Sequence, residues 1–246
     1  MYPERRKLWN GIRLDHYASG RLSLLNGMFF GGSLSLSYAV ETSLKCLAYE
    51  FLKNDFATKF SNKYQKSHDV LELYIELERL GAISQPNISK DFLRYISYTF
   101  SRYPSQISST KEIISKNHGS WVRSIGFIEY YDDLMVKLDK CIYNHSQDKS
   151  SLILLKALLT DTVQRTCIIS NNTGLEQNRE FYLEMLSEDE ARKASEKYPN
   201  FMSIEIDIST LHFDDSNELE ISEPEKFRLP KKGEQWFLPD DDNLTT

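Results

Sequence analysis

Apolar residues recur at helical spacing through most of the chain. Residues 37–53 place apolar side chains on one stripe with a period of 3.6 residues, and residues 69–80 repeat the pattern before Gly81 ends it. Residues 89–101 form a third such segment, with Ser89 in position to cap its N-terminus. Each of these segments is predicted to be an amphipathic helix.

Further segments extend the same pattern in both directions. Residues 121–143 predict a long helix, and residues 151–169 predict another that is apolar nearly all round. A helix is also expected near 15–30, with Gly31–Gly32 as the break before the next one. The predicted fold class is therefore mainly α, an antiparallel helical bundle.

The pattern changes after the turn-rich residues 170–174. A capping box, Ser187 with Glu190, predicts a short helix over residues 187–197. Residues 201–213 alternate strictly between apolar and polar side chains, which predicts a half-buried strand, and residues 218–221 could pair with it as a small β-hairpin.

These changes divide the chain into three parts. Residues 1–175 are predicted to form the helical bundle, and residues 176–238 a C-terminal α+β extension with the short helix and the hairpin. Residues 239–246 are predicted to be a disordered acidic tail.

Charge follows the same division. Residues 1–175 contain 22 basic and 17 acidic residues, a net charge of +5, whereas residues 176–246 contain 8 basic and 19 acidic residues, a net charge of −11. The C-terminal part is either a solvated tail or an acidic partner for the basic body.

Composition argues against membrane and metal roles. No apolar run approaches the ~18 residues that span a bilayer, and no hydrophobic signal core follows the N-terminus. Cys46, Cys141 and Cys167 lack CxxC spacing, and no two of the five histidines stand at metal-ligand spacing. We expect a cytoplasmic protein with no membrane association, cofactor or metal.

Three stretches of the sequence, taken in order, resemble a known family. "YAVETSLKCLAYEFL", "KSHDVLELYIELERLG" and "FLRYISYTFSRYPS" resemble successive helices of HEPN domains (higher eukaryotes and prokaryotes nucleotide-binding). The first of those helices carries a Glu and a Lys beside its apolar face, the second begins with His-Asp, and the third ends in Arg-Tyr-Pro. The resemblance covers roughly residues 35–105 and implies a dimeric helical bundle, with RNases of toxin–antitoxin or phage-defence systems and non-catalytic binding proteins among its members.

The sequence departs from the family's catalytic motif. Catalytic members have an Arg followed, after four to six residues, by a His. None of the five histidines here has an arginine at that distance; Arg13, for example, is too close to His16. The family's metal-independent RNase activity is therefore not expected in its usual form.

His68 has two interpretations. Ser67 or Asp69 caps the helix that follows, and His68 is then a packed polar residue at the helix end. Alternatively, its imidazole transfers protons or contacts phosphate near neutral pH.

Arg102 and Tyr103 have two interpretations as well. They can end a helix before Pro104, or they can pair a phosphate-binding guanidinium with a base-stacking ring. Arg94 lies two turns earlier and could extend that surface. The predicted nucleic-acid-binding residues are thus His68, Arg94, Arg102 and Tyr103.

The carboxylates at 129, 132 and 133 are interpreted as a solvated helix face. Taken together, the resemblance and the missing motif predict a non-catalytic or degenerate HEPN-like protein, a homodimer that binds RNA, a nucleotide or a partner protein. One alternative is a divergent metal-independent endoribonuclease that uses His68 and Arg102. Another is a protein-interaction module in which the strand at 202–208 extends a partner's sheet.

The charge division yields a testable expectation. If the acidic C-terminal part occupies a nucleic-acid site on the basic body, deletion of residues 210–246 strengthens RNA binding at low salt. Filter binding of a labelled RNA pool by the full and shortened chains measures this effect, and unchanged affinity would contradict the expectation.

Overall fold

The computed structural model describes residues 2–83, 88–99, 125–159, 168–169 and 172–197. Within these ranges the chain is mainly helical and contains no strand. The helices, in chain order, are α1 (Tyr2–Leu25), α2 (Phe29–Leu52), α3 (Phe56–Lys59), α4 (Asn62–Lys66), α5 (Val70–Leu80), α6 (Lys90–Thr99), α7 (Ile125–Ser146), α8 (Ile153–Leu159), α9 (Thr173–Gln177), α10 (Arg179–Glu184) and α11 (Glu188–Lys197). Short 3-10 turns follow α2 at Lys53–Asp55 and precede α8 at Lys149–Ser151.

Helix α2 lies at the centre of the described structure. It packs against α1, α5 and α7, and every residue from 39 to 50 is buried. The sequence predicted one apolar stripe on this helix, but neighbours cover it on several sides. Its polar residues in that stretch are therefore enclosed as well, and they need polar partners.

Helices α1 and α2 form a tightly packed antiparallel pair. A Cβ at Gly20 would lie 2.7 Å from the side chain of Leu36, and a Cβ at Gly32 would lie 2.8 Å from Leu24. The two glycines therefore permit an approach that any side chain would obstruct. The predicted break at Gly31–Gly32 is wrong, because the turn lies at residues 26–28 and both glycines belong to α2. The helix expected near 15–30 instead runs from Tyr2 to Leu25.

The predicted helix ends were largely correct where local caps define them. Asp69 caps α5 by accepting the N–H of Glu72 at 3.0 Å, and Gly81 ends that helix with a φ of 82°. The capping box before α11 is confirmed, since Ser187 and Glu190 bond reciprocally. The predicted strands at 201–213 and 218–221, with the tail at 239–246, lie outside the described residues.

Three arginines of α1 form ion pairs on the inner side of the helix. Arg13 and Arg21 are fully buried, and they pair with Asp139 and Asp132 of α7. Because the higher-numbered arginine pairs with the lower-numbered aspartate, α1 and α7 run antiparallel. The outermost arginine, Arg6, bonds Glu50 of α2 at 2.6 Å and Asp148, just after α7, at 2.5 Å.

Neutral side chains complete the hydrogen bonding of the buried pairs. The hydroxyl of Tyr17 donates to Asp132 at 2.6 Å, and Asn172 donates to that same hydroxyl at 2.9 Å. Burial raises the pKa of Asp132 to about 6, against the opposing effect of Arg21. The interpretation of residues 129–133 as one solvated face is therefore wrong at Asp132, although Glu129 is exposed.

The second buried pair is enclosed in the same way. Arg13 donates to Ser43 and to Asn10, each at 3.0 Å. Asp139 accepts the backbone N–H of Leu154 at 3.1 Å, at the start of α8. This pair therefore ties α1, α2, α7 and α8 together.

No helix in the described ranges has both the length and the apolar character that a membrane span requires.

Removing either partner of the Arg13–Asp139 pair should strongly destabilise the chain. Arg13→Ala and Asp139→Ala each leave a buried charge uncompensated, and we expect each to lower the free energy of unfolding by about 3–5 kcal/mol. Chemical denaturation followed by circular dichroism measures the change.

The exposed Lys59–Asp55 pair provides a matched control. Its side chains are 60% and 55% exposed, so Lys59→Ala should change stability little. Equal effects at the two pairs would contradict the assignment of a structural role to the buried one.

Candidate functional site

His68 lies in a short segment whose backbone is fixed by capping interactions. Ser67 accepts the N–H of Asp69 at 3.1 Å, and Asp69 in turn caps α5. The capping interpretation is confirmed for Asp69, which is the N-cap of α5, whereas Ser67 bonds the N–H of Asp69 instead. This arrangement leaves the imidazole of His68 available for other contacts, because neither bond uses it.

The imidazole of His68 is held by a buried carboxylate of α2. Nδ1 of His68 lies 3.0 Å from each carboxylate oxygen of Glu41. The His68 side chain is 49% exposed and that of Glu41 only 10%. The half-exposed His68 ring therefore contacts a Glu41 carboxylate that is almost entirely shielded from solvent.

Glu41 has a second partner on its own helix. The ammonium of Lys45 lies 2.8 Å from Oε1 of Glu41, with its side chain 8% exposed. Helix α2 brings the two residues together because they are four positions apart. His68, Glu41 and Lys45 are called the imidazole cluster below.

A second histidine lies near the imidazole cluster. His16 of α1 packs its ring against that of Tyr38, with 5.4 Å between the ring centroids. Burial lowers the pKa of His16, while the charges of Asp15 and Glu41 oppose that shift. His16 is thus close enough to Glu41 to respond to its charge.

Two exposed lysines precede His68 in the chain. Helix α4 ends two residues before His68, and Lys63 and Lys66 on it are exposed. Lys63 pairs with Glu72 of α5. Lys66 has no ion pair with any residue of the described part of the chain. An anionic ligand approaching His68 would therefore meet a lysine close by in sequence.

Arg94 lies on an exposed part of α6, where it forms an ion pair with Asp91 at 3.4 Å. The structure does not pair it with His68. Arg102 and Tyr103 fall outside the described residues, so the structure neither joins them to His68 nor separates them from it.

Helices α5 and α6 nevertheless run antiparallel. The N–H of Leu71 donates to Ser97 at 3.2 Å, and Lys90 bonds Glu78 at 2.7 Å at the opposite end. The last described turn of α6 therefore lies beside the start of α5, which His68 precedes by two residues. Arg102 follows the end of α6, at Thr99, by three positions in sequence.

In the described part of the chain, no three His, Cys, Asp or Glu side chains converge closely enough to hold a metal ion. Cys46 is buried and Cys141 is partly buried, both as free thiols, and burial raises the pKa of each. These cysteines therefore lack the lowered pKa that marks a reactive thiol. Cys167 lies outside the described residues.

Sequence reasoning found His68 but missed its partners as site residues. Glu41 lies 27 positions from His68, and no local pattern joins them. The only indication was the Glu and Lys of "ETSLK", which the HEPN resemblance placed beside the apolar face of a helix.

The chain matches no protein-family model, no curated protein and no solved structure. The resemblance to HEPN domains therefore stays a prediction.

Proposed function

We propose that this chain is a HEPN-like helical-bundle protein that binds RNA and acts as a dimeric binding or regulatory component, in the defence or toxin–antitoxin setting that the resemblance implies. The observation that carries the proposal is the half-exposed His68 imidazole, which contacts the buried Glu41 carboxylate that Lys45 also contacts. The RNA-contacting surface consists of His68, Lys66 and Arg94, with Arg102 and Tyr103 as its proposed extension.

The chemistry of this surface suits phosphate. A protonated imidazole donates from both nitrogens, so with Nδ1 bonded to Glu41 the other nitrogen can donate to a phosphate oxygen. Lys66 and Arg94 are exposed cations on flanking helices. Residues 1–175 carry a net charge of +5, which favours a polyanion on this part of the chain, while residues 176–246 carry −11 and oppose it.

Binding is favoured over catalysis by the surroundings of His68. In metal-free phosphodiester cleavage, a second donor must stabilise charge on the phosphate as the proton moves. Arg94, the predicted site arginine within the described residues, pairs with Asp91 and not with His68. The imidazole cluster by itself therefore supports phosphate contact more directly than cleavage.

The proposed surface predicts that substitutions within it weaken RNA binding. We expect His68→Ala and Arg94→Ala each to weaken binding of single-stranded RNA several-fold and to reduce its salt dependence, since each removes one phosphate contact. Fluorescence anisotropy with a labelled RNA at several salt concentrations measures both quantities.

Arg192 supplies a matched control for Arg94. It is also an exposed helix arginine that pairs with an aspartate three positions earlier, Asp189 at 2.6 Å. Arg192→Ala should leave RNA affinity unchanged. Equal losses for the two arginine variants would indicate a diffuse charge effect and contradict the proposed surface.

A second candidate function, metal-independent endoribonuclease, is favoured by one observation. A histidine whose Nδ1 is bonded to a carboxylate is the usual arrangement of an imidazole that transfers protons through Nε2. In this alternative His68 moves the proton and Arg102 contacts the scissile phosphate.

The ribonuclease alternative makes its own prediction. The full chain should cleave a labelled RNA pool in the presence of a metal chelator, and His68→Ala and Arg102→Ala should each abolish cleavage while the helical circular dichroism spectrum is retained. Binding without cleavage by the wild type would reject this alternative and leave the binding proposal in place.

A further inference from the structure

The imidazole cluster determines which nitrogen of His68 faces a ligand. Both oxygens of Glu41 lie 3.0 Å from Nδ1, and a carboxylate can only accept hydrogen bonds. Lys45, which can only donate, occupies Oε1 at 2.8 Å. The proton of a neutral His68 is therefore favoured on Nδ1, and Nε2 is left as the outward-facing nitrogen.

We infer that Glu41 and Lys45 are positioning residues that hold His68 as its Nδ1–H tautomer and present Nε2 to the RNA. This inference deepens the proposed function and rests on it for the identity of the ligand. The neutral ring then offers a lone pair at Nε2 that can accept the hydrogen of a ribose 2′-hydroxyl, a group that RNA has and DNA lacks. The protonated ring offers an N–H to a phosphate oxygen at the same position.

Two features of the geometry favour a positioning role over a purely structural one. Glu41 and Lys45 are both nearly enclosed, whereas the imidazole that Glu41 contacts is half exposed. A carboxylate that served only to neutralise Lys45 would not need His68, because the Lys45 contact at 2.8 Å already supplies its counter-charge.

His145 is an internal control for the tautomer. Its Nε2 lies 2.8 Å from the backbone carbonyl oxygen of Ala82, which can only accept a hydrogen bond. We therefore expect the proton of neutral His145 on Nε2, the opposite of His68. The His145 ring contacts Ala82 and Phe51 and is therefore independent of the imidazole cluster.

The test is nuclear magnetic resonance of the full-length, ¹⁵N-labelled chain above the titration range of its histidines. Long-range ¹⁵N–¹H correlations show which ring nitrogen carries the proton. We expect Nδ1–H for His68 and Nε2–H for His145 in the wild type. In Glu41→Gln, His68 should lose its single tautomer while His145 keeps its own.

A double variant that removes both buried charges keeps the inference testable if the single variant misfolds. Glu41→Gln leaves the ammonium of Lys45 buried without its carboxylate, whereas Glu41→Gln/Lys45→Gln does not. The double variant should show the same tautomer change in His68. An Nε2–H tautomer of His68 in the wild type, or an unchanged tautomer in a folded variant, would overturn the inference.

Measurements of RNA affinity distinguish a positioning role of Glu41 and Lys45 from a purely structural one. The double variant should bind single-stranded RNA several-fold more weakly, by no more than His68→Ala does, because it acts through the imidazole. In a His68→Ala background the same two substitutions should have no further effect, because they act through the imidazole. An equal loss in both backgrounds would show a structural role and overturn the positioning assignment.

The two proposals fail in different ways. A wild-type chain with the expected tautomer that binds no RNA would contradict the proposed function and the RNA-presenting part of the inference. A chain that binds RNA through His68 with the wrong tautomer would contradict the inference alone.

Discussion

Two buried ion pairs join α1 to α7 and fix the position of one helix against the other. Arg13 and Arg21 are among the largest fully buried side chains in the described part of the chain, and each pairs with an aspartate that is equally buried. Either charge without its partner would be strongly destabilising in such an environment. The two pairs therefore permit one axial register of α1 against α7, which apolar contacts alone would specify less strictly.

This constraint extends to the candidate site through α2. Helix α2 supplies Ser43 and Glu50 to the arginines of α1, and it supplies Glu41 and Lys45 to the cluster with His68. Since the position of α2 against α1 is fixed by the Arg6–Glu50 ion pair and by close contacts at Gly20 and Gly32, Glu41 occupies a defined place. The site thus combines a rigid, buried carboxylate with an exposed imidazole.

Sequence reasoning predicted the features that arise within a few residues. The caps at Asp69, Ser89 and Ser187 and the stop at Gly81 were found because each depends on neighbours in the chain. The same reasoning missed the contacts that join distant positions. Arg13 and Asp139 lie 126 positions apart, and the helical pattern around them does not distinguish a buried charge from a solvated one.

The candidate site shows the same limit. His68 was identified from the sequence because it precedes a strong helix, whereas its carboxylate partner required the packing of α2 against α5. Asp132 was wrongly interpreted as solvated, because its burial also depends on residues far away in the sequence. It adjoins Asp133, which is partly exposed, and only the arrangement of α1 and Asn172 shows that one of two adjacent aspartates is enclosed.

The most direct test of this account is the location of RNA on the full chain. Ultraviolet crosslinking to a labelled single-stranded RNA, followed by mass spectrometry of the attached peptides, locates the contact without any substitution. We expect crosslinks in the segment that contains Lys66 and His68 and in the segment from Arg94 to Tyr103. Crosslinks confined to other parts of the chain, such as α10 and α11, would contradict this expectation.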